Sequence, residues 1–144
     1  AYRYKLFCEP IRNPLREKVA WRLWPKPDGD ALNQTAEIFL GTHDFAAFGS
    51  PTTEKGTTTR MVTTSEWRRK QNGEWQFEVR ADAFLYRMVR RLVFVQVAVA
   101  LGRCSVEDIR LALKTGQGRK LPSGLAPAHG LSLIDVEYGS LKRK

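Results

Sequence analysis

The feature that most constrains this chain is a set of arginines inside an almost wholly apolar helix. The stretch Phe84-Leu85-Tyr86-Arg87-Met88-Val89-Arg90-Arg91-Leu92-Val93 runs on to Leu101, and past Arg91 its one polar residue is Gln96. Apolar residues recur at Phe84, Met88, Leu92, Val95 and Val99, which is helical spacing; Asp82 is placed to cap the start and Gly102 to supply a left-handed stop. A helix of this profile is buried on most sides, and an unpaired guanidinium there costs several kcal/mol. Arg90 therefore needs an anion. A carboxylate of the same domain (Asp82, Asp135 or Glu137) and an acid or phosphate brought from elsewhere both satisfy that need.

The flanking pattern predicts an α+β fold, a mainly antiparallel sheet with helices packed on one face, formed by residues 1–144 as a single domain. Residues 2–7 alternate as a strand with Tyr2 and Tyr4 on one side, and residues 21–24 give a second short extended piece. Asp30 then caps a helix whose Leu32, Ala36, Phe39 and Leu40 share a face and which Gly41 ends. In Gly41-Thr42-His43-Asp44-Phe45, His43 and Asp44 hydrogen-bond a turn that Phe45 and Phe48 anchor, and residues 49–59 form a mobile polar loop. Residues 60–67 and 74–81 make a hairpin through Asn72-Gly73. Ser105 and Asp108 open a short helix as a capping box, Gly116 closes it, a basic loop fills 117–124, and residues 131–138 end the fold as a strand.

Net charge is +9 with a pI near 9.9, and an apolar fraction of 42% suffices to close a core. The excess charge is clustered, in Arg68-Arg69-Lys70, in Arg87 with Arg90 and Arg91, and in the tail Lys142-Arg143-Lys144. A polyanion is the natural partner, with Arg60, Arg68, Arg69, Lys70, Arg87 and Arg91 as candidate RNA contacts; a solvated surface is the plain alternative for the tail and for Arg68 to Lys70. An open sheet face flanked by arginines is one way to present a surface to RNA. The two cysteines, Cys8 and Cys104, form no Cys-x-x-Cys pair and no disulfide framework, which fits a reducing cytoplasm. The longest apolar run is too short to span a bilayer and the N-terminus has no signal-peptide pattern, so no membrane partner is expected. His43 and His129 are the only histidines, too few for a metal-dependent phosphohydrolase, so no metal is expected.

Five motifs in order carry a resemblance. They are Tyr2-Arg3-Tyr4; Gly41-Thr42-His43-Asp44-Phe45-Ala46-Ala47-Phe48; Arg60-Met61-Val62; the Phe84-Leu85-x-x-Met88-Val89-Arg90 segment; and Ala126-Pro127-Ala128-His129-Gly130-Leu131-Ser132-Leu133 leading to Val136 and Tyr138. Together they resemble the tRNA pseudouridine synthase A family, and specifically its C-terminal half. The resemblance implies an enzyme that isomerises uridine to pseudouridine in the anticodon arm of tRNA, with no metal and no organic cofactor. It implies supporting catalytic roles for Arg90, which pairs with the aspartate that performs the chemistry, and for Tyr2, whose ring meets the target base. It also implies a pocket wall of Leu131, Leu133 and Met88, and a homodimer.

The departures matter as much. Family members follow Met-Val-Arg with Asn and, after two apolar residues, Gly; here Arg91 and Phe94 stand there, and the ring implies an altered helix contact. The family's Arg-Thr-Asp motif, which holds the aspartate in the N-terminal half, does not occur among these residues. The chain by itself is therefore expected to be inactive, its missing half being supplied in cis or in trans. The alternative is a non-catalytic RNA-binding module or one subunit of a split enzyme.

Overall fold

The computed structural model describes residues 1–134. The predicted tail Lys142-Arg143-Lys144, the end of the last strand, and Asp135 and Glu137 lie outside the described residues. Six strands form one sheet: β1 (Tyr2–Cys8), β2 (Trp21–Leu23), β3 (Gly41–Asp44), β4 (Thr59–Arg69), β5 (Glu74–Ala81) and β6 (Leu131–Leu133). The order is β2-β1-β5-β4-β3, with β6 also on β1. Every pairing is antiparallel except β1 with β2. Three helices accompany it among the described residues, α1 (Gly29–Ile38), α2 (Met88–Ala100) and α3 (Val106–Thr115). The α+β expectation holds.

The alternation of β1 decides which way the sheet faces. Tyr4 and Leu6 point into the helix layer and are fully buried, whereas Arg3 and Lys5 point to the opposite side, where Arg3 meets Glu78 of β5 at 3.5 Å. Phe7 also points that way but is buried, with the Arg16 guanidinium 4.4 Å above its ring. The core lies between sheet and helices, formed by Tyr4, Leu6, Phe77 and Val79 below and Leu32, Phe39, Leu92, Val93 and Ile109 above.

Gln96, the lone polar residue of the apolar run, ties the two layers together. It is fully buried; its Oε1 accepts the Trp67 indole N–H from β4 at 2.9 Å, and its amide nitrogen donates to the Leu92 carbonyl at 3.1 Å. The Thr35 hydroxyl of α1 shares its proton between that same Oε1 (3.1 Å) and the Leu32 carbonyl (2.9 Å). A second buried tie runs from the Ser65 hydroxyl of β4 to the Ala36 carbonyl of α1 at 2.7 Å. These bonds fix the helices over the sheet at set positions, which apolar contact alone leaves loosely specified.

The helix boundaries correct two expectations. Asp28, not Asp30, caps α1, accepting the Asp30 backbone N–H at 3.0 Å. Asp82 does not cap α2: the helix starts at Met88 after Arg87, which takes the left-handed conformation at φ 62°, and no side chain caps it. Asp82 instead accepts the backbone N–H groups of Met61 and Ala83, both at 2.9 Å, closing the end of the β4–β5 hairpin. Phe84 consequently lies outside the helix. At the other end Gly102 takes φ 79° as expected, and the α3 capping box of Ser105 and Asp108 is present. The His43-Asp44 segment is a short strand, β3, paired with β4 rather than a turn alone, although Asp44 does hold the following turn by accepting from Ala46 N–H (3.0 Å) and the Thr58 hydroxyl (2.6 Å), above buried Phe45 and Phe48.

Phe94 finds room because its neighbour has no side chain. A Cβ on Gly124, at φ +136°, would lie 2.6 Å from the ring, and the ring stacks on Trp21 at 6.5 Å between centroids with planes 9° apart. Two unfolding measurements check this packing. Gln96→Leu leaves the Trp67 indole N–H without its acceptor and is expected to cost about 1–3 kcal/mol in chemical denaturation. Gly124→Ala is expected to cost about 1–3 kcal/mol from overpacking on top of the roughly 1–2 kcal/mol that alanine at positive φ imposes, and in a Phe94→Ala background only the latter.

Candidate active site

One end of β1 gathers three of the predicted site residues, Tyr2, Leu131 and Leu133. Tyr2 pairs across to Leu133 and Tyr4 to Leu131, so the four side chains share the helix-side face. The Tyr2 ring meets Phe84 edge-on at 4.9 Å, with planes 89° apart. Leu131 is half-buried, while Leu133 is 58% exposed, so an apolar surface reaches solvent beside Tyr2. Tyr4 lies beneath, fully buried, its hydroxyl donating to the Pro127 carbonyl at 2.6 Å. Burial pushes this hydroxyl's pKa well above the usual tyrosine range, and the Arg90 charge nearby opposes the shift.

Arg90 stands in the first turn of α2. Its Nε–H donates to the Ala126 carbonyl at 2.8 Å, and the Ala126 N–H donates back to the Arg90 carbonyl at 3.1 Å. Ala126 is fully buried, so the two bonds satisfy backbone groups that water cannot reach. No carboxylate among the described residues pairs with Arg90, and Asp82, one of its candidate partners, is occupied at the hairpin end. The other two candidates, Asp135 and Glu137, lie outside the described residues. With Nε fixed, the terminal nitrogens form a donor-only fork of the kind that grips a carboxylate or phosphate through two parallel bonds. Such a group receives an oxyanion and cannot hold a cation.

The remaining predicted residues divide by location. Met88, expected in the pocket wall, is 1% exposed and belongs to the hydrophobic core. Arg60 lies at the same end of the sheet; it donates to the Thr59 carbonyl at 2.8 Å, and its Nε is buried with no hydrogen-bond partner among the described residues. Arg87 is exposed, its guanidinium 4.8 Å from the Tyr86 ring. Arg91 is engaged by the chain itself, donating to the carbonyls of Pro122 (2.6 Å) and Gly124 (2.9 Å), and burial lowers its pKa. Arg68 and Arg69 end β4 and Lys70 follows it, level with Lys5 to Phe7 of β1 rather than with Tyr2, about 10–17 Å away along the sheet by strand rise. Arg68 is already paired with Glu66 at 2.6 Å.

Three residues that shape this site stand in the quoted motifs but were given no site role: Tyr4 beside Arg90, Phe84 against Tyr2, and Ala126 as the acceptor for Arg90. Tyr4 could have been found from its two-residue offset from Tyr2. Phe84 was read as a helix position, and a backbone carbonyl such as that of Ala126 leaves no trace in a sequence.

Comparison with known proteins gives the same direction. The family model described as tRNA pseudouridine synthase matches residues 35–139. The tRNA pseudouridine synthase A of Geobacter sp. (strain M21) is 37% identical over 139 residues, covering 95% of this chain and 55% of the relative. Those of Shouchella clausii (33% identical; 96% and 52% covered) and Syntrophotalea carbinolica (36%; 95% and 54%) align to the same extent. The chain spans about half the length of the curated relatives it matches. With a match over most of its residues, this chain belongs to the tRNA pseudouridine synthase family.

Proposed function

We infer that this chain is the RNA-binding and active-site-completing half of a tRNA pseudouridine synthase, acting on uridine in the anticodon arm of tRNA. The observation that carries the reading is the Arg90 fork, held through Nε beside buried Tyr4 and without a carboxylate partner among the described residues. The reaction breaks the bond from uracil N1 to the ribose, turns the base, and joins C5 to the same sugar carbon. The C5 proton leaves and N1 gains one, so the product is an isomer and no cofactor is consumed. An ionised aspartate at the sugar is required, and its source is the half of the protein that lies outside these residues, in cis or in trans.

Arg90 keeps that aspartate charged and oriented, because a fixed guanidinium beside a carboxylate favours the ionised form. Tyr2 lies against the freed base, with Leu131 and Leu133 as the apolar wall and Met88 supporting it from the core. Extruding the uridine from its stack exposes the sugar to attack. Arg60, Arg87 and the Arg68-Arg69-Lys70 group contact phosphates, and Arg91, held by carbonyls, adds positive field to the same surface. The free thiols Cys8 and Cys104 fit a cytoplasmic setting, and a homodimer follows from the family.

Three measurements test this. The 144-residue chain alone is expected to bind tRNA with an affinity that falls steeply as salt rises, yet to form no pseudouridine; turnover by it would overturn the account of the missing aspartate. In the full-length protein, Arg90→Lys is expected to lower kcat on the order of 100-fold through misplacement of the aspartate and, because it also removes the Nε–H bond to the buried Ala126 carbonyl, to cost about 1–3 kcal/mol in unfolding, with kcat read at a temperature where the variant is folded. Full retained activity would reject the pairing role.

A further inference from the structure

A second cleft opens next to the Arg90 site, between the Ala46–Phe48 turn with Gly49 and Ser50, the Tyr86-Arg87 corner, and the chain at Ser123 to Leu125. Its volume is about 510 Å³, within the range of about 300–1,000 Å³ that small-ligand sites occupy. Two cations, Arg87 and Arg91, line it together with small and apolar residues, and no acidic side chain among the described residues does. Tyr86 is 57% exposed, and its backbone N–H is fixed to the Ser50 carbonyl at 2.9 Å. The Arg87 guanidinium lies 4.8 Å from that ring.

The corner is held at a cost. Arg87 is the one non-glycine residue with positive φ among the described residues, and such a conformation costs roughly 1–2 kcal/mol for an L-residue. Strain of this kind concentrates where surrounding structure enforces a functional geometry. Here it turns Tyr86 and Arg87 outward while Leu85 and Met88 on either side are buried. Arg87 precedes Arg90 by three residues, about 4.5 Å of helix rise, and the segment whose carbonyls hold Arg91 also holds Arg90 through Ala126. Whatever fills the cleft is therefore an immediate neighbour of whatever meets Arg90.

We propose that this cleft binds the nucleotide adjacent to the reacting uridine, its base stacked on Tyr86 and its phosphate at Arg87. A flat ring beside two cations with no carboxylate suits a stacked base on an anionic backbone, and stacking tolerates any base because each has a π-face. The proposal rests on the RNA-modifying reading above and adds a subsite to it.

The test uses the full-length protein and a stem-loop RNA carrying the target uridine. Tyr86→Ala is expected to raise KM by roughly 5- to 150-fold, the range for losing one base–aromatic stack, with kcat unchanged; Tyr86→Phe retains the original KM and Tyr86→Leu does not. Replacing the flanking nucleotide on the 5′ or 3′ side with an abasic residue is expected to weaken wild-type binding on one side only, and to have no further effect on Tyr86→Ala. The proposal is overturned by an unchanged KM in Tyr86→Ala, by a loss confined to kcat, or by a wild-type protein indifferent to both abasic substrates. The abasic arm needs no variant, so it decides the matter even if Tyr86→Ala folds poorly. A full-length wild-type protein that forms no pseudouridine in any tRNA defeats the parent reading instead, and the subsite with it.

Discussion

The reciprocal pair of bonds between Arg90 and Ala126 organises this end of the molecule. One bond runs from a charged side chain to a backbone carbonyl and the other from a backbone N–H to a helix carbonyl, joining α2 to a segment 36 residues later. Hydrogen bonds from charged groups contribute about 1.5–3 kcal/mol net, roughly twice a neutral one, so this contact is stronger than most single ties in the domain. It also sets a direction. A guanidinium anchored at Nε can no longer swing, and its remaining nitrogens are committed to one side of the helix. Tyr4 below and Phe84 with Tyr2 beside it then define a surface with a fixed cation at its edge.

Arginines elsewhere serve different physical purposes. On the outer sheet face, Arg3 and Arg80 both reach Glu78, and Arg68 reaches Glu66. The Arg68–Glu66 pair is exposed, contributes about 0–1 kcal/mol and weakens with salt, whereas the two pairs on Glu78 are partly buried. Arg91 is the opposite case, enclosed by the Pro122 and Gly124 carbonyls and stretched toward the Phe94 ring at 5.9 Å. The two residues that depart from the family pattern, Arg91 and Phe94, thus pack against the same loop, and Gly124 meets both. A ring in the helix and a bare backbone position in the loop accommodate one another.

Much of this arrangement was legible in the residues. Strand alternation in β1, the Asn72-Gly73 hairpin and the Ser105–Asp108 capping box are local patterns, and each formed where the pattern put it. The start of α2 was not legible, because the apolar spacing continues through Phe84 and Leu85 although the backbone reverses its twist at Arg87. Asp82 offered a cap in sequence, yet two hairpin N–H groups compete for the same oxygen and win. β3 was hidden because its pairing with β4 is tertiary, and its own residues, Gly-Thr-His-Asp, have little strand preference. For the site, the family resemblance named Arg90 and Tyr2 as candidates, but which cations gather near Tyr2 depends on chain crossings: Arg60 lies at its end of the sheet, and Arg68 to Lys70 do not.

The outer edge of β1 is shared by two short strands laid end to end. β2 takes Leu6 to Cys8 and β6 takes Tyr2 to Tyr4. The first pairing joins residues about fifteen apart and can zip early, whereas the second must bring Tyr2 to Leu133 across nearly the whole chain. Closing so large a loop is entropically slow, so contacts of this separation form late. The stretch Tyr2 to Tyr4 thus has one neighbour, β5, within about eighty residues and gains the other only when residues 131–133 are in place, so this edge of the sheet is the last of β1 to be covered.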